Sequence, residues 1–349
     1  MTMDRSESTE SISKEEEIAR AAGLRYLPSD RPGWRRIRRG KGFSYVDQRG
    51  ETLSHRDRQR VERLAIPPAW REVWVSPQPT AHLQATGVDA DGRRQFLYHP
   101  EWRAAADAAK FARLSQFAGP LGLLRRRVDR DLRRSGADRS CAALVRLIDD
   151  SLIRPGNLRH FRAKGSVGAT TLRTDHVDVS RHIVHLQFRG KSAIDHDIEV
   201  NDPLLARTIS RILDSSEPDE PLFRDDSGAA IDTVRLNEYL RAHAGFGFTA
   251  KDLRTWGATC LVATELLTGK PAVNANAAIR AAVETAAEHL SNTATVCRAS
   301  YVSPAVIDGF LDGSLREAWR AARPTRWLTR ADRTVDRVLT ASRDEPPLV

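Results

Sequence analysis

HIVHLQFRGKSAIDHDIEV, residues 182–200, alternates apolar and polar side chains along two arms that meet near Gly190 and Lys191, the pattern of a β-hairpin. Helical periodicity surrounds it. Upstream, ADAAKFARL and SCAALVRLIDD repeat their apolar residues at intervals of three and four. Downstream, PLLARTISRILDS, TVRLNEYLRAHA, DLRTWGATCLVATELL and NAAIRAAVETAAEHLS do the same. Between 165 and 200, GATTLRT and DHVDVS read as further strands. A final short helix, PAVIDGFLDG, takes Ser303 as its cap and Pro304 as its first residue. Residues 104–327 are therefore predicted to form a mainly helical domain with a small inserted sheet.

Residues 21–103 read differently. GFSYVDQRGETL alternates around Phe43 and Tyr45 and turns at Gln48–Gly50, predicting a hairpin. VWVSP (73–77) and RRQFLYHP (93–100) are further strand candidates, and IPPAW (66–70) ends the helix that SHRDRQRVERLA begins. A small, mostly β domain follows from this. Residues 1–20 are Ser/Glu-rich and predicted to be a disordered acidic arm, and 328–349 a loosely held basic tail. The fold class expected is α+β.

The 349 residues are 40% apolar and 29% charged, the balance of a globular protein. No apolar run reaches the ~18 residues of a membrane span. The first residues lack the apolar core of a secretory signal, so a cytoplasmic, nucleoid-associated location is expected. Cys141, Cys260 and Cys297 are odd in number and widely spaced, which argues against disulfides and a cysteine zinc site. The net charge is +9, and 48 of the 55 basic residues are arginine. Arginine's planar fork suits bidentate phosphate contact, so a polyanionic partner is expected, although a GC-rich genome would produce the same bias. GKS at 190–192 imitates a nucleotide loop, but His185 stands where the required glycine would be. HExxH is absent, and no metal or cofactor is expected.

Four segments carry candidate chemistry: LIRPG (152–156), FRGKS (188–192), KDLRTWG (251–257) and LSNTATVCRASY (290–301). Each alone is ordinary, since such arginines and lysines usually face solvent and such tyrosines usually pack. In this order the set resembles the catalytic domain of type IB DNA topoisomerases, in particular the compact poxvirus-like and bacterial group. GWRRIRRGKGFSYVDQRG, IPPAWREVWV, HLQATGVDADGRRQFLYHPEW and DAAKFARL resemble that group's N-terminal region in the same order, so the likeness runs from about Leu24 to Gly313. It implies a C-shaped clamp of two lobes around supercoiled duplex DNA, acting as a monomer without cofactor or membrane. It also implies an active site of Arg154, Lys191, Arg254 and Tyr301. At the fifth position, nine residues before the tyrosine, the poxvirus pattern has His; here it is Asn292, as in bacterial members, while His289 falls three residues too early.

The chemistry of these residue types agrees. Transfer of a DNA phosphodiester to protein needs a nucleophile (Tyr301) and donors for the oxygens where charge builds (Arg154, Arg254, Asn292). It also needs an acid for the departing 5′-oxygen, the role expected of Lys191. DNA contacts are expected from Arg93, Gln95, Phe96 and Tyr98 in the strand RRQFLYHP, and from Arg159, His160 and Lys251. Phe96 could equally face its domain's core. The basic runs RRIRRGK (35–41) and LRRRVDRDLRR (124–134) are either phosphate contacts or solvated faces. Two other functions fit parts of the pattern. A tyrosine recombinase shares the Arg–Lys–Arg–Tyr order but commonly has His-x-x-Arg where this chain has Lys251-Asp-Leu-Arg254. A catalytically silent DNA clamp would bind without breaking strands.

Overall fold

A computed structural model describes residues 14–40, 42–136, 138–245 and 247–344, apart from the side chains of His160 and Asp344. The chain forms two compact units, Met1–Phe111 and Ala112–Val349. Of the arm expected to be disordered, 1–13 lie outside the described residues, while 14–21 are helical (α1).

The first unit is built on an antiparallel five-stranded sheet: β1 (Trp34–Arg39), β2 (Gly42–Val46), β3 (Arg71–Val75), β4 (Leu83–Val88) and β5 (Arg94–Tyr98), in the order β2-β1-β3-β4-β5. The hairpin involving Phe43 and Tyr45 forms with a different partner from the one expected. The RRIRR of the basic run RRIRRGK lies in β1, which pairs with β2 from Arg35 opposite Val46 to Arg39 opposite Gly42. The ETL arm contributes one isolated bridge, Val46 to Thr52. The reason is the Asp47 carboxylate, which accepts from the backbone N–H groups of Arg49 and Glu51 and closes a tight turn. Helix α2 (His55–Arg63), capped by Ser54, inserts Val61 against Trp34, Tyr45, Val73 and Val75 to make the core. Each such aliphatic side chain is worth roughly 1.5–3 kcal/mol when fully buried.

Helix α3 (Pro100–Leu114) leads into the second unit. There α4 (Ala118–Leu132), α5 (Asp138–Ser151) and α6 (Leu158–Lys164) precede a three-stranded sheet of β6 (Val177–Ser180), β7 (Ile183–Arg189) and β8 (Asp195–Asn201). The β7–β8 hairpin has the expected tip, with Arg189 opposite Asp195. GATTLRT is not a strand. Its centre is a 3₁₀ turn at Ala169–Thr171, because the Ala169 and Thr170 N–H groups donate to Arg154 O and Pro155 O instead of a sheet.

Helices α7 (Pro203–Asp214), α8 (Thr233–Ala244), α9 (Ala250–Thr268), α10 (Ala275–Leu290), α11 (Ala294–Tyr301), α12 (Pro304–Asp312) and α13 (Ser314–Ala321) complete most of the unit. Residues expected to form a loose tail instead form α14 (Arg330–Asp344), with Val335, Val338 and Leu339 buried at the three-four spacing. The end of the chain, 345–349, lies outside the described residues. Asp332 anchors α14: its carboxylate accepts from Trp256 Nε1 at 2.6 Å and from Arg125 at 2.7 Å, and Arg125 also pairs with Asp149. Among the described residues, no helix is long and apolar enough to cross a membrane.

Candidate active site

The LIRPG turn begins where α5 stops. Leu152 has a left-handed backbone (φ 54°) yet is buried, and its carbonyl accepts from Arg254 on α9. The next stretch is clamped by the 3₁₀ turn, whose Ala169 N–H lies 2.8 Å from Arg154 O. The two backbones touch at Gly168, where a Cβ would stand 2.6 Å from Gly156 Cα and 2.8 Å from Arg154 O. Backbone cannot swing aside as a flexible side chain can. Gly168→Ala is therefore expected to lower unfolding stability by about 1–3 kcal/mol in urea titrations. An unchanged midpoint would mean that the turn bearing Arg154 yields freely.

Arg254 is 2% exposed, and its second donor lies 3.2 Å from Leu290 O, at the end of α10. Arg154 donates to the next carbonyl, Ser291 O, at 3.2 Å, and to Asn292 Oδ1. Ser291 is a left-handed cap (φ 49°), so the carbonyls of Leu290 and Ser291 end the helix free to receive the two guanidinium groups. Both charges thus gather at a helix C-terminus, whose dipole favours cations. Burial drives Arg254 down to about 10, with Tyr301 opposing the shift and Arg154 adding to it, and it remains protonated at neutral pH.

The amide orientation of Asn292 follows from its partner, since a guanidinium only donates and the atom facing it must be the oxygen. This leaves Asn292 Nδ2 buried with no hydrogen-bond partner. An unmet buried donor costs about 1–3 kcal/mol, so an acceptor arriving here would find a site already prepared. Tyr301 ends α11 half-buried, with its ring centroid 5.5 Å from the Arg254 guanidinium carbon. Thr259, a little over one turn beyond Arg254 on α9, fixes the tyrosine's backbone. Its hydroxyl proton is shared between Thr255 O at 2.8 Å and Tyr301 O at 3.0 Å, and its oxygen accepts from Ser303 N at 3.3 Å.

Lys191 projects from the β7–β8 tip and is exposed. The tip is tight: Gly190 N donates to Ile194 O at 2.8 Å, and Ser192 and Ala193 both have positive φ, 62° and 58°. Lys191 lines one cleft with Arg154, Arg254, Phe188, His196 and Ser291. The fold thus gathers Arg154, Lys191 and Arg254 around that cleft. Asn292 joins them through Arg154, and Tyr301 through Arg254.

The other candidates lie elsewhere. Arg159 is exposed on α6, and Lys251 is exposed in the first turn of α9; the His160 side chain is outside the described residues. Arg93, Gln95, Phe96 and Tyr98 belong to the first unit. Asp89 ties down Arg93 and Gln95, each at 2.8 Å. Burial raises the Asp89 carboxyl, but hydrogen bonds from these two residues outweigh it and leave it at about 2. Phe96 does not face the core: it is 43% exposed and stacks on Tyr98, which stacks on Trp102 at 4.4 Å.

Thr259 and His196 were not among the residues expected from the sequence. A lone threonine inside a helix carries no signal. His196 could have been found from the hairpin register, which sets it opposite Phe188 and beside the tip.

The family model of the eukaryotic DNA topoisomerase I catalytic core matches residues 99–308, and that of the bacterial DNA topoisomerase IB N-terminal domain matches 42–89. The chain is similar to a DNA topoisomerase 1B of Acanthamoeba polyphaga mimivirus, 28% identical over 276 residues, covering 75% of this chain and 82% of that protein. It is also similar to the DNA topoisomerase 1B of vaccinia virus (strain Copenhagen), 22% identical over 262 residues, covering 71% and 80%.

Proposed function

Because the chain belongs to the type IB DNA topoisomerases, enzymes that act on DNA, we propose that Tyr301 is the nucleophile that takes up the 3′ end of one cut strand. The phenol loses its proton to solvent, its oxygen forms a bond to phosphorus as the bond to the 5′-oxygen breaks, and Lys191 supplies the proton that the departing oxygen needs. Arg154 and Arg254 hold the non-bridging oxygens where charge accumulates, with Asn292 Nδ2 donating beside them. The observation that carries this reading is the convergence of both arginines, an unpartnered buried amide nitrogen (Asn292 Nδ2) and Tyr301 about the end of α10.

Fixed guanidinium charges neutralise the phosphate, so the step requires no metal. The tyrosyl ester conserves the energy of the bond it replaces, so resealing is the same step reversed and requires no ATP. While the strand is open, the free DNA end rotates about the intact strand and supercoils of either sign relax. One chain supplies every group, which suits a monomer. The two units would close on the duplex as a C-shaped clamp, with Arg93, Gln95, Phe96, Tyr98, Arg159, His160 and Lys251 contacting DNA in the cytoplasmic nucleoid.

Supercoiled plasmid incubated in EDTA without ATP is expected to relax progressively. Unchanged plasmid at saturating protein would reject the proposal. Lys191→Ala is expected to slow cleavage of an ordinary phosphodiester by roughly 10²–10⁴-fold. The variant should slow far less on a 5′-bridging phosphorothiolate, whose thiolate leaves without a proton. Equal slowing on both substrates would remove the general-acid role.

A further inference from the structure

We propose that His196 is a positioning residue for the leaving-group acid, holding the Lys191 hairpin against the turn that carries Ser291 and Asn292. The proposal rests on the reading of Lys191 as general acid. The β7–β8 register sets His196 opposite Phe188, and their rings stack with centroids 4.6 Å apart and planes 8° from parallel. From there the imidazole lies directly against the tip: a Cβ on Gly190 would stand 2.5 Å from His196 Nε2. The residue before Lys191 must therefore lack a side chain for the ring to occupy its place.

The other ring nitrogen, Nδ1, lies 3.4 Å from Ser291 Oγ. Ser291 is the residue whose carbonyl receives Arg154, and Asn292 follows it. One ring thus spans the gap between the element that would deliver the proton and the element that would grip the phosphate. Burial lowers the imidazole pKa, and the nearby charges of Arg154 and Arg254 lower it further against the opposing pull of Asp195. Lys191, in the same cleft, is another cation. A neutral ring can accept from the Ser291 hydroxyl while keeping its proton on Nε2. Phe188 backs the stack and in turn meets His176, whose ring centroid is 6.5 Å away.

A ring that merely filled space would affect stability and all cleavage alike. A positioning ring would affect the proton step. Single-turnover cleavage of a short duplex is measured with an ordinary phosphodiester and with a 5′-bridging phosphorothiolate, alongside thermal melting. His196→Ala is expected to slow the ordinary substrate by about 10–100-fold, below the full value of a general acid, and the sulfur substrate by no more than about threefold. Added to Lys191→Ala, it should slow the ordinary substrate little further, since the two changes remove one function.

Ser291→Ala removes a single oxygen and is expected to act in the same direction to a smaller degree. It carries the test if His196→Ala does not fold. His196→Asn, which keeps a polar atom near the Nδ1 position, should recover part of the rate. Equal slowing on both substrates, or additivity with Lys191→Ala, overturns the role of His196 while leaving the general acid in place. Failure of sulfur to rescue Lys191→Ala itself overturns the general acid, and this proposal with it.

Discussion

Tyr301→Phe is expected to abolish plasmid relaxation, with strand cleavage falling on the order of 10⁴-fold or more, as losses of a sole nucleophile do. The change removes one oxygen and leaves the rest of the residue in place. Its backbone stays fixed by Thr259, and its ring keeps its position 5.5 Å from the Arg254 guanidinium carbon. Stability should fall by no more than about 0.5–1.5 kcal/mol, the worth of the phenol's hydrogen bond with Arg254. Affinity for duplex DNA should be nearly unchanged, because the proposed phosphate contacts come from cations that the substitution does not touch. The sharpest readout is denaturation in detergent during turnover, which should trap DNA on the unaltered protein and none on the variant. A covalent adduct persisting in Tyr301→Phe would place the nucleophile elsewhere, among only Tyr26, Tyr45, Tyr98 and Tyr239.

Arg254→Ala is expected to have the second largest effect, because this side chain has two duties. Toward substrate its proposed duty is that of a charged donor to a phosphate oxygen, and loss of one such donor typically costs about 10²–10³ in rate. Toward the protein it satisfies Leu152 O and Leu290 O, both of which would be left in a dry interior. An unmet buried acceptor costs about 1–3 kcal/mol. Chemical denaturation should therefore show a loss of a few kcal/mol together with the fall in cleavage. Arg254→Lys separates the two duties. It keeps the charge but cannot span two carbonyls and a phosphate, so it should recover part of the rate and little of the stability. Wild-type cleavage in either variant would remove Arg254 from the site. Equal stability would show the carbonyls to be met by water.

The residues proposed to bear chemistry stand out in the sequence because their neighbours are informative. Arg154 is announced by Pro155 and Gly156, Lys191 by the hairpin around it, and Asn292 by its distance from Tyr301. What holds them was not legible, because it depends on contacts between distant segments. The φ of 54° at Leu152 follows from the packing of α9, whose Gly257 leaves room for the leucine side chain. GATTLRT has the β-branched content of a strand, yet its N–H groups are taken by the LIRPG turn, an instance of tertiary context overriding propensity. WRRIRR misled through its charge, since four arginines obscured a strand with Trp34 on its buried side. Val335, Val338 and Leu339 did carry a helical signal, hidden among Arg330, Arg333 and Arg337.

Asp332 gives the last described helix an importance that its distance from the cleft conceals. Its carboxylate grips the indole of Trp256, two residues along from Arg254, so the helix carrying that arginine is braced from the far end of the polypeptide. Chain ends are usually where an experimenter trims or grafts without penalty. Here a fusion tag belongs after Asp344, and a shortened version ending near Leu328 would sever the brace before any assay began.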